Sequence, residues 1–170
     1  MLTRRRFLQV GLAGAAVLVA LRVLYGPSRP AAYRVLDARG AELIAALAPA
    51  VLAGALPAES APRATAIEAV VAAFDQAVAG MSPAVQSEID DLLGLLCFAP
   101  ARVALAGLWS PWSEAGDEAI AGFLERWRTS RFDLFRAGYQ ALTQLVQAAW
   151  YGNPLAWDAI GYPGPPRLPS

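Results

Sequence analysis

Residues Arg131 to Trp150 read RFDLFRAGYQALTQLVQAAW, and within them Phe132, Phe135, Tyr139, Leu142 and Val146 recur three or four residues apart. An α-helix turns once in about 3.6 residues, so this spacing stacks all five on one face, whereas a strand would scatter them over both faces. The stretch is the longest amphipathic pattern in the chain. It predicts the central helix of a bundle, with its aromatic stripe turned into the core.

Working back toward the N-terminus, helical signals repeat. Ile120, Phe123, Leu124 and Trp127 align behind a start at Ser113 or Asp117. Arg126, Arg128, Arg131 and Arg136 lie among Glu125 and Asp133, the pattern of a salt-bridged helix surface. Ser82-Pro83 is a cap residue followed by proline at the first helical position, and Val85, Ile89, Leu92, Leu93 and Leu96 form the stripe behind it. Glu88, Asp90 and Asp91 lie mostly off that stripe and read as a solvated face. Pro100 is expected to end this helix. An earlier helix starts near Arg63, carries Ile67, Val70, Val71, Phe74 and Val78, and stops at Gly80. The first starts at Asp37, carries Leu43, Ile44, Leu47, Ala48, Val51 and Leu52, and closes at Gly54 and Pro57, with a loop from Pro57 to Pro62. The expected fold class is therefore all-α: a helical bundle over residues 33–150.

Two regions break the helical pattern. Trp109-Ser110-Pro111-Trp112 brackets a turn with two tryptophans, whose large apolar area is costly to leave in water. They either pack in the core or meet a partner protein. Residues 151–170 are too rich in Gly and Pro for a regular element, yet Trp157, Ile160 and Tyr162 are too apolar for an idle tail. This extended segment is expected to lie against a surface, of its own bundle or of another chain.

The first two dozen residues differ again. Thr3-Arg4-Arg5-Arg6-Phe7-Leu8 precedes an apolar run from Val10 to Leu21, the layout of an export signal. Arg4 and Arg5 with Phe7 and Leu8 behind them match the twin-arginine (Tat) signature that a receptor reads as an address. Residues 1–32 are thus expected to be a twin-arginine signal or a membrane anchor plus linker. Cleavage between Gly26 and Tyr33 and retention as an anchor both fit the residues.

Composition narrows the function classes. The chain has 170 residues, is 56% hydrophobic and has 16% charged residues, apolar enough to suggest a partner-covered surface. Five of its 14 basic residues precede Tyr33, which leaves nine against 14 acids and a body of about −5. A mildly acidic body argues against nucleic-acid binding. There is one cysteine and no histidine, which excludes an internal disulfide, c-type haem attachment, the usual zinc and iron–sulfur ligand sets and histidine-dependent triads. Cys97, within Leu95-Leu96-Cys97-Phe98, reads as a buried apolar thiol. No catalytic, cofactor-binding or metal-binding residue is expected.

A helical bundle closed by Trp150-Tyr151-x-Asn153-Pro154-x-x-Trp157-x-x-Ile160-Gly161-Tyr162-x-Gly164-Pro165 resembles the end of gluconate 2-dehydrogenase subunit 3 and its relatives. The Leu36-Asp37 helix start and the length are similar too, although the Pro57–Pro62 loop is shorter than in fuller members. The resemblance implies a non-catalytic small subunit of a membrane-associated oxidoreductase complex. Its partner would be a large FAD-containing dehydrogenase of the glucose–methanol–choline (GMC) type, often joined by a multihaem cytochrome c. The small subunit would carry that folded flavoprotein through the Tat translocase to the periplasm, at the inner membrane. Its expected partner contacts are Trp109, Trp112, Trp150, Tyr151, Asn153, Pro154, Trp157, Gly161 and Tyr162. The alternative from a different class is a stand-alone exported or membrane-anchored envelope protein.

Overall fold

The computed structural model describes residues 32–157 and 160–164. The twin-arginine motif at Arg4, Arg5, Phe7 and Leu8 lies outside them. Among the described residues the chain is all-α, with no strand. Its elements are α1 (Ala38–Val51), α2 (Ser60–Ala79), α3 (Pro83–Cys97), the single turn α4 (Ala99–Ala101), α5 (Asp117–Arg128) and α6 (Asp133–Tyr151).

Local chemistry places most of the starts. Asp37 caps α1 by accepting from the Gly40 N–H at 2.6 Å. Ser82 caps α3, with Pro83 in its first turn. Asp117 and Glu118 lie in the first turn of α5 and Arg126 and Arg128 in its last, each where the helix dipole favours it. Helix α2 begins at Ser60, ahead of the expected Arg63, because Pro62 falls in its first turn. A missing N–H costs nothing there, since the first four have no intrahelical acceptor.

The central helix is α1, not the one ending at Trp150. Leu43, Ile44, Leu47 and Ala48 are fully buried, Gly40 and Ala41 join them, and α1 touches α2, α3, α5, α6 and the turn at Trp112–Glu114. A helix apolar over most of its circumference meets neighbours on several sides and sits in the middle, and α1 gives only Ala38, Arg39 and Glu42 to water. By contrast α6 exposes Gln140, Gln144 and Gln147 and packs one side on α2 and α5. Its strong amphipathicity marks an outer helix.

Pro100 likewise does not end α3. The break comes at Phe98, whose ψ of 116° is extended, and Pro100 opens α4. That turn runs into a π-helical turn over Arg102–Ala106, closed by Gly107 at φ +67°. Trp127 then seats α5 on α6: a Cβ on Gly138 would lie 2.5 Å from its ring. From Trp112 through Phe123, Trp127 and Phe135 the rings contact one another in sequence, with centroids 4.9–5.4 Å apart.

A buried carboxylate ties the start of the bundle to its interior. Asp75 of α2 is 4% exposed and accepts the backbone N–H groups of Arg34, Val35 and Leu36 at 2.7, 2.8 and 2.8 Å. Burying a carboxylate without partners would be costly; here three donors replace its water.

Candidate interaction surface

The two tryptophans of the 109–112 turn have opposite fates. Trp112 is 3% exposed, stands edge-on to Phe123 and donates its indole N–H to the Leu96 carbonyl at 3.0 Å, satisfying an acceptor at the end of α3. It is a core residue, so the expectation that it contacts a partner is corrected. Trp109 is 84% exposed. The π-helical turn beneath it is held by side-chain donors to its otherwise free carbonyls: the Trp127 indole donates to Leu105 at 3.0 Å and Arg126 donates to Ala106. Arg102 leans toward the carbonyls of Leu108 and Trp109 at 3.4 and 3.5 Å.

Beside this turn lies a cleft of about 430 Å³, lined by Arg39 and Glu42 of α1 and by Phe98, Arg102 and Trp112. Cys97 reaches it from the end of α3. Burial, then the nearby Asp37 charge, pushes its thiol up from 9.0 to about 12. A thiol pushed up in this way holds its proton at neutral pH.

The C-terminal segment is organised by its polar atoms. Trp150 is 2% exposed and belongs to the core, a second correction to the expected contact set. After α6 ends, Asn153 accepts the Leu155 N–H at 3.0 Å and caps a 3₁₀ turn over Pro154–Ala156, with Ala156 fully buried. The Trp157 indole donates back to the Tyr151 carbonyl at 3.3 Å. Gly161, at φ +67°, turns the chain so that the Tyr162 N–H reaches the Trp157 carbonyl at 2.9 Å and the two rings meet edge to face at 5.2 Å. A left-handed φ of this kind favours glycine.

This arrangement brings Tyr151, Asn153, Pro154, Trp157, Gly161 and Tyr162 into one unit at the end of α6. Tyr151, Leu155, Ile160 and Tyr162 leave 44%, 56%, 53% and 43% of their surface in water. Apolar side chains presented this way by a fastened backbone have the makings of an association surface. Leu155 was not singled out from the sequence, although the Pro beside it implies a turn that carries its side chain outward. Asp75 was also missed, and its signal is the register: an acid four residues after Val71 and three before Val78 falls on the buried face of α2.

Among the described residues no group of three or more His, Cys, Asp or Glu could hold a metal ion, and no helix is long and apolar enough to cross a membrane. No family model matches this chain, and no curated protein or solved structure does.

Proposed function

We propose that this chain is a non-catalytic small subunit that binds a flavin-dependent dehydrogenase of the GMC type, oxidising a sugar, sugar acid or alcohol, and escorts it folded through the Tat pathway to the periplasm. The observation that carries the reading is the C-terminal motif. Its polar and indole groups, Asn153 and Trp157, are engaged with the chain's own backbone, while Leu155, Ile160 and Tyr162 are left outward. Side chains of that size at a fixed spacing can enter pockets of a partner without ordering a loop first, which lowers the entropic cost of binding. The twin-arginine motif at Arg4 and Arg5 supports the escort role, because that route accepts cargo already folded. FAD would reside in the large subunit, and a multihaem cytochrome c would complete the complex.

Purification of the tagged chain from its native host tests the binding role. The expected result is a yellow complex with a large subunit and flavin absorbance, and haem bands if the cytochrome is present. Changing Arg4 and Arg5 together to Lys should then leave the flavoprotein in the cytoplasm. A colourless lone chain from cells that make the flavoprotein would overturn the reading and favour the stand-alone envelope protein.

A further inference from the structure

We propose that Asp75 is a folding-dependent latch on the N-terminal segment, closing the Arg34–Val35 peptide bond to proteolysis and so setting the limit of any N-terminal processing. The carboxylate uses both oxygens: Oδ2 accepts from Arg34, and Oδ1 accepts from both Val35 and Leu36. The partners are 39 to 41 residues apart in sequence, so the latch exists only when α2 is packed beside the start of α1. Leu36, 2% exposed, plugs the core directly behind it, and Tyr33 and Val35 pack against the same core. Asp37 is turned to the helix instead, its Oδ1 capping Gly40.

A protease binds its substrate as an added strand, through backbone N–H and C=O groups on both sides of the bond it cuts. Here the N–H groups of Arg34, Val35 and Leu36, which flank the bond, already point into the bundle. The Arg34 side chain is nevertheless exposed, so a trypsin-like enzyme could read it once the backbone is released. Hydrolysis would add one water across the bond, leaving a carboxylate on Arg34 and an amine on Val35. The latch places a fixed point of the folded body at Arg34, immediately after residues 26–33, where the cut would fall if the signal is removed rather than retained. It stands on this geometry alone and does not depend on the identity of any partner.

Trypsin digestion of the full chain, followed by mass spectrometry of the fragment that begins at Val35, tests the latch. Asp75→Asn keeps the shape but replaces one acceptor oxygen with an amide NH₂ that faces donors. Val70→Ala, in the same helix with the latch intact, serves as a control for general loss of stability. At denaturant concentrations giving equal global stability, cleavage after Arg34 should be about tenfold or more faster in Asp75→Asn than in Val70→Ala. Equal rates would overturn the proposal. If Asp75→Asn does not fold, amide exchange in the unaltered protein decides. The Arg34, Val35 and Leu36 amides should exchange roughly a thousandfold slower than in a free peptide although none lies in a helix, and exchange within about tenfold of the free rate would overturn it.

Discussion

Two short segments outside the α-helices, residues 33–37 before α1 and residues 152–157 and 160–164 after α6, are fastened to the bundle in opposite senses. The first turns its backbone inward: three N–H groups converge on the buried Asp75 and Leu36 enters the core. The second is fastened through Asn153 and Trp157 at the end of one helix, and its large side chains Leu155, Ile160 and Tyr162 leave about half of their surface in water. Apolar area already buried stabilises the fold and is spent there. Area left out on an ordered backbone remains free to stabilise a complex. The difference separates a structural joint from a surface suited to association.

The comparison can be broken most sharply at Trp150 and Tyr162, two aromatics of the same motif. Trp150→Ala empties a fully packed site and should lower unfolding free energy by about 4 kcal/mol in urea titration; a loss under about 1 kcal/mol would move Trp150 out of the core. Asp75→Ala leaves three N–H groups without their acceptor and should cost about 3 kcal/mol in the same titration. Stability unchanged by that substitution would make the inward joint incidental. Tyr162→Ala should change stability by about 0.5 kcal/mol or less while abolishing recovery of the proposed flavoprotein partner in a pull-down. A large stability loss with partner recovery intact would assign Tyr162 to the fold.

The smallest expected effect concerns Cys97, which lines a small pocket with Val35, Leu36 and Asp37 beside the inward joint. Since the folded thiol is pushed up to about 12 from 9.0, the folded state holds its proton longer than the unfolded chain does. That contribution to stability is fully present below pH 9.0 and is lost as pH rises from there toward about 12. Labelling by a thiol reagent should accordingly be slow at pH 8 in the unaltered protein and faster in Asp75→Ala. Rapid labelling of both would show that burial does not protect the sulfur.

Much of the bundle was legible in the sequence because its signals are local. The caps at Asp37 and Ser82, the stop at Gly80 and the apolar stripes each depend on neighbours within a turn or two. The position of Pro100 misled because a proline excludes the helix interior but is accepted in a first turn, so it can mark a start as well as an end. Amphipathicity misled about centrality, since the strongest contrast between faces belongs to an outer helix, and α1, apolar over most of its circumference, takes the middle. The candidate contact set divided for a similar reason. Trp109 and Trp112 are three residues apart and chemically identical, and only the packing of the turn decides that one indole meets Leu96 while the other meets water.

By itself the sequence determined the class of fold, the ends of most helices, the absence of histidine and of paired cysteines, and the presence of a twin-arginine motif ahead of a bundle. These follow from composition and from interactions between residues close along the chain. Tertiary structure alone decided which helix is central, which aromatics are core and which are displayed, and that Asp75 receives the start of the bundle from about 40 residues away. Such pairings depend on how the faces of different helices meet in space, and no spacing along a single helix encodes that.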